Sequence, residues 1–453
     1  MMRIAILGAG ESGVGAAILA QQKGFEVFVS DKGHIAEQYK NVLNQYGLQW
    51  EEGHHTEERI LNADEIIKSP GIPDTAPIVA KAIAKAIPII SEIEFAGRYT
   101  QARKICITGS NGKTTTTSLI YHILKKAGFD VGLAGNIGRS MALQVAQNDR
   151  EWYVIELSSF QLDNMYDFRA DIAVLLNITP DHLDRYNYCM QNYVESKMRI
   201  IRNQRQSDAF IFWEGDEYIS KELKKHDETG EIYSFSDQKS PASIAFVEDG
   251  VMRLLAPFNF EMQLQELSLR GRHNVRNAMA AALATLRAGV APEAVRSGLS
   301  DFPGVEHRLQ NAGTAHGIHF INDSKATNVD ACYYALDAMH APVVLILGGL
   351  DKGNDYNEIM PLVKEKCRAL VFMGVDNRKL KKFFGEKGIF YAETGSMDEC
   401  MKACVRLAHP GDTVLLSPCC ASFDLFRNME DRGEQFMEWV KRFAHEGKEV
   451  EGK

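Results

Sequence analysis

The sequence lacks the features that are typical of membrane proteins, of secreted proteins and of proteins with a cysteine zinc site. Its eight cysteines are scattered without metal-ligand spacing, and Cys419 and Cys420 are adjacent, which suits neither a zinc site nor an ordinary disulfide. No apolar run is long enough to cross a bilayer. Met1–Ile4 leads directly into a predicted strand and shows no signal peptide. We therefore expect a cytoplasmic protein with reduced thiols and no membrane partner.

The chain also lacks an excess of positive charge, because 51 lysine and arginine residues face 60 aspartate and glutamate residues, which gives a net charge of −9. An acidic chain is a poor partner for nucleic acid, so we expect any phosphate groups that it binds to belong to small molecules. Neither an internal repeat nor a low-complexity segment occurs. A chain of this length predicts about three domains, which we place at residues 1–98, 99–302 and 303–453.

A glycine-rich segment, Thr108–Thr115, predicts phosphate binding. It follows the apolar run Ile105–Ile107 and precedes a helical pattern over residues 118–127. In this context the N–H groups of a glycine loop and the positive end of the helix point at the same anion. The general loop pattern would place a further glycine at position 107, which is isoleucine here, so an ordinary strand-to-helix turn is the alternative.

The residue types around this loop also fit ATP chemistry. Lys113 could reach the β and γ phosphate oxygens, and Thr114 offers a hydroxyl to Mg²⁺. Two later predicted strands, 152–157 and 172–177, end in polar segments that contain Glu156 and His182. Parallel strands end at the same edge of a sheet, so we expect both side chains near the loop, where a metal–triphosphate needs a carboxylate. Helix capping or a solvated loop is the alternative for each.

The N-terminal segment Gly8–Gly13 matches the dinucleotide pattern G-x-G-x-x-G, and the next predicted strand ends at Asp31. This combination predicts that a nucleotide diphosphate lies over a helix N-terminus, without saying which one. An NAD-dependent dehydrogenase is therefore one interpretation. The loop Ser69–Pro73 follows another predicted strand and would lie at the same edge, although a simple turn is the favoured interpretation of Ser69–Gly71 taken by itself.

Polar residues also mark the ends of predicted elements later in the chain. Asn274 and Asn277 open an alanine-rich helix and lie three residues apart, on one face, where they could cap the helix or bind a base edge. Segment Asn322–Asn328 follows a predicted strand, and polar loops follow the strands predicted at 343–347 and 413–416. The last third of the chain is thus predicted to be another α/β unit.

Together these motifs resemble the Mur ligases, the ATP-dependent amide-forming enzymes of peptidoglycan precursor synthesis. The segments that carry the resemblance are Thr108–Thr115, Glu156–Gln161, Asn177–Arg185, Gly271–Asn277, Val305–Leu309, Asn322–Asn328 and Ser417–Ser422. The last two look like those of the family member that adds D-glutamate. The resemblance implies an α/β fold of three domains: a Rossmann-like N-terminal domain, a central P-loop ATPase-type domain with a parallel sheet, and a C-terminal Rossmann-like domain.

The resemblance further implies a monomer that uses ATP, UDP-N-acetylmuramoyl-L-alanine and D-glutamate, with two Mg²⁺ ions. The UDP-sugar would be held by Gly10, Glu11, Ser12, Asp31, Lys32, Ser69, Gly71 and Asn136. ATP would be held by Gly109, Ser110, Asn111, Gly112, Lys113, Thr114, Thr115, Asn274, Asn277, Arg308 and Asp323. D-Glutamate or the transferred phosphoryl group would face Lys325, Thr327, Lys352, Ser422 and Phe423.

In the family, a lysine after the histidine is typically carbamylated, which turns a cation into a carboxylate-like metal ligand. Lys197 has that spacing after His182, so the resemblance implies that Thr114, Glu156, His182 and Lys197 bind the metal and that Lys113 is catalytic with the last three. Without the resemblance, Lys197 would be interpreted as a surface lysine of a helix. Three alternatives remain: a folate polyglutamate synthase or another Mur ligase, a dehydrogenase with a regulatory nucleotide domain, and a non-catalytic nucleotide-binding module.

Overall fold

The computed structural model of this chain describes residues 1–225, 230–339, 342–351 and 353–446. These described residues form two compact units, one within the ranges 1–268 and 274–302 and the other within the ranges 269–273 and 303–446. The larger unit contains two β-sheets and the smaller unit contains one. Among the described helices, none combines the length and the apolar character that crossing a bilayer demands.

The first sheet is parallel throughout and has the order β3-β2-β1-β4-β5. Its strands are β1 (Arg3–Leu7), β2 (Glu26–Asp31), β3 (Gln49–Glu52), β4 (Glu65–Lys68) and β5 (Ile89–Ile90). The helices are α1 (Glu11–Gln22), α2 (Glu37–Gln45), α3 (Glu57–Ile60), α4 (Pro77–Ala84) and α5 (Glu92–Gly97). The strand order reverses at β1 and β4, so the loops after these two strands are neighbours, as in a Rossmann-like fold.

The second sheet has nine strands in the order β14-β13-β12-β11-β10-β9-β6-β8-β7. Its strands are β6 (Arg103–Thr108), β7 (Val131–Gly135), β8 (Trp152–Glu156), β9 (Ile172–Leu175), β10 (Ala209–Trp213), β11 (Glu231–Phe235), β12 (Ala245–Glu248), β13 (Val251–Leu254) and β14 (Phe260–Gln263). The α-helices are α6 (Lys113–Lys126), α7 (Met141–Gln147), α8 (Ser159–Leu162), α9 (Met190–Met198), α10 (Glu217–Leu223), α11 (Arg272–Ala288) and α12 (Pro292–Asp301).

The expectation of a parallel central sheet is confirmed for β6 to β12 but needs correction at one edge. Strands β12, β13 and β14 pair antiparallel. The two-residue turn Asp249–Gly250 joins β12 to β13 with φ of 52° and 74°. Both values are positive, as in the hairpin turns that Asp-Gly favours, because their twist matches that of the flanking strands.

The smaller unit has a six-stranded sheet in the order β15-β16-β20-β17-β18-β19, and only the β15–β16 pair is antiparallel. The strands are β15 (Gln310–Ala315), β16 (Ile318–Asn322), β17 (Val343–Gly348), β18 (Cys367–Met373), β19 (Tyr391–Thr394) and β20 (Thr413–Cys419). The helices are α13 (Val329–Asp337), α14 (Met360–Lys366), α15 (Arg378–Gly385), α16 (Met397–Leu407) and α17 (Met429–Glu446). The last strand lies beside β16, so the loops that follow these two strands are adjacent.

A buried carboxylic acid connects the first two sheets. Glu92, at the start of α5, accepts hydrogen bonds from the Ser140 hydroxyl (2.7 Å) and the Ala142 backbone N–H (2.6 Å) at the start of α7. Glu11, at the start of α1, accepts a hydrogen bond from the Ser140 backbone N–H (3.1 Å). Complete burial raises the pKa of Glu92 to about 7, the charge of Glu11 adds to the rise, and the hydrogen bonds oppose it.

This pKa predicts a pH-dependent stability. The folded state binds the Glu92 proton more tightly than the unfolded chain, so the contribution of Glu92 to stability falls as the pH rises from about 4.5 through 7. Between pH 5 and 7.5 the wild type should lose about 2 kcal/mol more unfolding free energy than Glu92→Gln, which keeps the acceptor oxygen but cannot ionise. Urea unfolding at both pH values measures the difference. Glu58→Gln, at an exposed position, should behave as the wild type, and an equal pH dependence in Glu92→Gln would contradict the assignment.

Candidate active site

The loop between β6 and α6 requires glycine at two positions. Gly109 and Gly112 have φ of 149° and 83°, a region that side chains rarely adopt. A Cβ on Gly112 would lie 2.5 Å from Oδ1 of Asn277, and one on Gly109 would lie 3.1 Å from Cβ of Leu176. The absence of side chains therefore allows α11 to approach the loop. The structure thus brings Asn277 to the predicted phosphate loop.

The segment after β9 fixes the backbone of this loop. The Ser110 hydroxyl donates to the Thr179 carbonyl (2.9 Å) and accepts from the Thr179 N–H (2.9 Å). The Asn111 N–H donates to Oδ1 of Asn177 (2.8 Å), and the Asn177 amide donates back to the Asn111 carbonyl (3.0 Å). These bonds hold the loop in a defined conformation at the N-terminus of α6, which is the arrangement that anion binding requires.

Cationic and hydroxyl groups lie at the same helix N-terminus. The Lys113 ammonium donates to the carbonyl oxygens of Gly109 and Ser110, both at 2.8 Å, so its charge lies directly over the loop. Thr114 and Thr115 are buried in the first turn of α6. On α11, the Asn277 amide donates to Oδ1 of Asn274 (3.2 Å), so the two asparagines face the same way, as their spacing predicts.

Glu156 ends β8, the strand that pairs with β6 next to the loop. Its side chain is buried, and Oε1 accepts a hydrogen bond from the Asn136 amide (2.9 Å). The other oxygen, Oε2, is buried and has no hydrogen-bond partner among the residues that the structure describes. A buried carboxylate oxygen without a partner is costly, and a bound cation would satisfy it.

Lys197 lies on α9 and is 1% exposed, so the interpretation as a surface lysine is wrong. Its Nζ is 3.5 Å from Oγ1 of Thr108 and 4.8 Å from the centre of the Tyr193 ring. Burial holds the pKa of Lys197 well below its usual value, the nearby Lys113 lowers it further, and the charges of Asp181, Asp163 and Glu156 oppose these effects. The amine therefore deprotonates far more readily than a lysine in water.

His182 begins a short 3₁₀ helix, Leu183–Tyr186, with a positive φ of 52°. Its ring packs edge-on against Phe160, with ring centres 5.1 Å apart, and Nε2 is 3.6 Å from Oδ2 of Asp181. Phe160 lies on α8, four residues after Glu156. This contact brings His182 to the segment that follows β8, as the sequence predicts for two strands that end at one edge.

The donors at this edge fit Mg²⁺ through oxygen atoms. Glu156 Oε2 is a hard ligand without a protein partner, and the Thr114 hydroxyl lies at the loop. No group of three or more His, Cys, Asp and Glu side chains in the described ranges is arranged to hold a metal ion. A cation here would therefore need donors of other kinds, such as a threonine hydroxyl, ATP oxygens and a modified Lys197.

The glycines of the N-terminal segment Gly8–Gly13 have different neighbours. A Cβ on Gly13 would lie 1.9 Å from the Gly8 carbonyl oxygen, whereas one on Gly10 would meet nothing within 4 Å. Gly13 therefore serves close packing, and Gly10 leaves the helix N-terminus open to a ligand. The Asp31 carboxylate accepts hydrogen bonds from the N–H groups of Ala9 (2.7 Å) and Gly33 (2.8 Å), so it braces the glycine loop.

The remaining residues predicted for the UDP-sugar divide into two groups. Ser12, Lys32, Ser69 and Gly71 lie in or beside the loops at the carboxyl ends of β1, β2 and β4, and each is at least partly exposed. The side chains of Glu11 and Asn136 form hydrogen bonds with protein groups, the Ser140 N–H and the Glu156 carboxylate respectively.

In the smaller unit, Asp323 is buried at the end of β16. It accepts hydrogen bonds from the Leu309 N–H (3.1 Å) and the Ser417 hydroxyl (2.8 Å). Burial raises the pKa of Asp323 to about 6, and the charge of Arg308 opposes the rise. These contacts join three segments. Sequence analysis assigned Arg308 and Asp323 to ATP, and Ser417 begins the segment that leads to Ser422, which it assigned to D-glutamate.

The loops predicted to face D-glutamate lie side by side. The Ser422 hydroxyl is buried and has no hydrogen-bond partner in the described part of the chain, whereas the Phe423 ring is 69% exposed. Lys325 and Thr327 lie in the loop between β16 and α13. Lys352, the remaining predicted residue, lies outside the described residues.

Sequence analysis missed one side chain that connects these loops. The buried Arg432 of α17 donates to the Ser324 hydroxyl (2.9 Å), the Ser324 carbonyl (2.8 Å) and the Cys420 carbonyl (3.2 Å). Burial lowers the pKa of Arg432 to about 10. The sequence shows only an arginine near the start of an amphipathic helix, which is usually a solvated position.

Comparison with known proteins places the chain in a family. The Mur ligase middle domain matches residues 107–285, the glutamate ligase domain of Mur ligases matches residues 307–420, and the MurD N-terminal domain matches residues 3–77. The chain is 59% identical to the UDP-N-acetylmuramoylalanine–D-glutamate ligase of Bacteroides fragilis, over 97% of this chain and 100% of that one. It is 56% identical to the ligase of that name from Porphyromonas gingivalis, over 96% and 98% of the two chains.

The overall architecture also has counterparts among solved structures. The UDP-N-acetylmuramate–alanine ligase MurC of Thermotoga maritima superposes with a TM-score of 0.63 at 19% identity, over 98% of this chain and 100% of that one. At this identity the likeness concerns the fold, and it confirms the predicted three-domain α/β architecture. With the full-length similarity to the two ligases, it follows that the chain belongs to the Mur ligase family.

The loop geometry makes a prediction with an internal control. Gly112→Ala should weaken ADP binding at least about tenfold, because the methyl group would displace Asn277 and disturb charge-assisted hydrogen bonds to phosphate. Gly128, just beyond the other end of α6, has nearly the same φ, 84° against 83°, but open space around its Cβ position. Both variants should lose about 1 kcal/mol of stability from strain.

Calorimetric titration with ADP separates the two effects. Gly128→Ala should bind ADP as the wild type does. If both variants bound ADP equally well, the β6–α6 loop would not be the phosphate site.

Proposed function

We propose that this protein is an ATP-dependent ligase that adds D-glutamate to UDP-N-acetylmuramoyl-L-alanine in peptidoglycan precursor synthesis. The observation that carries the proposal is the high identity, along the whole chain, to enzymes named for that reaction. The braced glycine loop and the buried Glu156 and Lys197 beside it supply the charged groups that phosphoryl transfer from ATP requires.

The proposed reaction has two steps. The carboxylate of the L-alanyl group attacks the γ-phosphorus of ATP, which forms an acyl phosphate and releases ADP. The amine of D-glutamate then attacks the acyl carbon, the amide bond forms, inorganic phosphate leaves and the amine loses a proton. Two anions meet in the first step, so positive charge must be fixed where they approach. Lys113, at the N-terminus of α6, is the protein group that we assign to this role.

Mg²⁺ bound at this edge would neutralise phosphate charge and orient the triphosphate. We assign Thr114, Glu156, His182 and Lys197 to two Mg²⁺ ions, with a carbamate on the Lys197 amine. A carbamate forms from CO₂ and a neutral amine, and the burial that lowers the pKa of Lys197 favours the neutral form. The modified side chain would be an anion with oxygen ligands, which a hard cation prefers.

The remaining contacts follow the three domains, which we propose to divide at residues 1–98, 99–302 and 303–453. We assign the UDP-sugar to the loops after β1, β2 and β4, with Gly10 as the point of closest approach. ATP is assigned to the glycine loop together with Asn274, Asn277, Arg308 and Asp323. D-Glutamate is assigned to Lys325, Thr327, Lys352, Ser422 and Phe423. The proposal includes a monomeric enzyme in the cytoplasm, where ATP is available.

Phosphate release tests the function directly. With ATP, Mg²⁺ and UDP-N-acetylmuramoyl-L-alanine present, D-glutamate should support turnover, and L-glutamate, L-lysine and L-alanine should not. Omission of the UDP-sugar is the control for uncoupled ATP hydrolysis. Binding of NAD in competition with the UDP-sugar, without ligation, would favour the dehydrogenase interpretation instead.

Lys197 provides a test of the proposed carbamate. Lys197→Ala should reduce turnover by at least about 10²-fold, as expected for the loss of one preorganised charged group. Acetate or formate at constant ionic strength should restore part of the activity by occupying the site of the missing carboxylate. Lys197→Arg should stay inactive in the same buffers, because a bulky cation would still fill the site.

The control for this experiment is Lys221→Ala, which removes a lysine that is 71% exposed on α10 and should leave turnover unchanged. Full activity of Lys197→Ala without added carboxylate would refute the role of the lysine in metal binding.

A further inference from the structure

Asn136 lies on a short connection between β7 and α7 that is bound closely to the end of β8. Its backbone N–H donates to the Glu156 carbonyl (2.9 Å), and its side-chain amide donates to Oε1 of Glu156 (2.9 Å). The preceding Gly135 has φ of 101°, and a Cβ there would lie 2.1 Å from the Glu156 carbonyl oxygen. The connection therefore follows the backbone of Glu156 at a distance that only glycine allows.

The hydrogen bond from the Asn136 side chain gives the two carboxylate oxygens of Glu156 different environments. An ionised carboxylate only accepts hydrogen bonds, so the Asn136 group that contacts Oε1 is the NH₂ donor. Oε2 remains buried and has no partner among the described side chains and backbone groups. The amide thus fixes the rotation of the carboxylate, and Oε2 keeps its capacity to bind a cation.

The other end of the connection is fixed as well. The Ser140 hydroxyl donates to the buried Glu92, and the Ser140 N–H donates to Glu11. A Cβ on Gly15 of α1 would lie 2.1 Å from the Ser140 hydroxyl oxygen, so α1 packs tightly against this point. With Asn136 bonded at one end and Ser140 at the other, the segment between them has little freedom to move. The position of the Asn136 amide is therefore set by the protein.

We propose that Asn136 is a positioning residue for Glu156. It holds Oε1 and leaves Oε2 available as a ligand for the Mg²⁺ that would accompany the nucleotide, a role in addition to the UDP-sugar contact that the family resemblance implies. The inference rests on the proposed function, because it assumes that Mg²⁺ and a nucleotide bind at this edge. It adds a residue whose effect on the cation passes through the orientation of another side chain.

Nucleotide binding with and without Mg²⁺ tests this role without requiring turnover. Calorimetric titration with ADP should show that Asn136→Ala lowers the affinity in the presence of Mg²⁺ about tenfold, as for other groups that orient a metal ligand. In EDTA the affinity for ADP should stay within about twofold of the wild type. The midpoint of Mg²⁺ activation of the ligase should rise.

Asn203→Ala is the matched control. The Asn203 amide donates to the carbonyl oxygens of Tyr166 (2.7 Å) and Phe168 (3.0 Å) in the same unit, away from Glu156 in these contacts. This variant also loses asparagine hydrogen bonds and should bind ADP as the wild type does, with or without Mg²⁺. If Asn136→Ala does not fold, Asn136→Ser, whose hydroxyl is too short to reach Oε1, should show the same Mg²⁺-dependent loss.

Two results would overturn the inference. The first is a large rise in KM for the UDP-sugar with unchanged Mg²⁺ dependence of ADP binding, which would limit Asn136 to the sugar site. The second is ADP affinity that Asn136→Ala and Asn136→Ser leave unaltered in Mg²⁺. Ligation of D-glutamate by the wild type is measured in parallel, so an active wild type with either result refutes the positioning role alone. An inactive wild type refutes the proposed function.

Discussion

Burial of charged groups at the carboxyl edge of the central sheet is the constraint on which the rest of the larger unit depends. Lys197 is almost completely buried, and Glu156 presents a buried oxygen that no described protein group satisfies. A protein interior holds charges only when they are paired, neutralised or bound to a ligand. The lowered pKa of Lys197 and the oriented carboxylate of Glu156 are two responses to this constraint. Both features favour the binding of cations and phosphate at this edge of the sheet.

Much of this organisation could be predicted from the sequence, because it depends on local patterns. The strand, glycine loop and helix around Thr108–Thr115 follow from residues close together in the chain. The same holds for the ends of β8 and β9 and for the paired faces of Asn274 and Asn277. Parallel strands then bring these ends to one edge without any detailed knowledge of packing. The family resemblance, which the comparisons confirm, supplied the identity of the substrates that the patterns alone left open.

What sequence analysis missed depends on contacts between distant segments. The bond between Asn136 and Glu156 joins residues 20 positions apart, and that between Glu11 and Ser140 spans 129. Arg432 reaches Ser324 over 108 positions. Such contacts are set by how helices pack on sheets, which no local pattern encodes. The antiparallel edge strands are a different case, because the Asp249–Gly250 turn is a recognisable hairpin signal that was overlooked.

The position of β20 has a consequence for how the smaller unit forms during synthesis. This strand is the last of the six in chain order, yet in the sheet it lies between β16 and β17. Until residues 413–419 leave the ribosome, the β15–β16 hairpin and the strands β17 to β19 are two fragments without the strand that joins them. Each fragment then has an edge strand with unpaired backbone groups, the kind of surface that pairs with other chains. The unit thus depends on its final strand to pair both edges, and a chain truncated before residue 413 would leave them open to pairing with other chains.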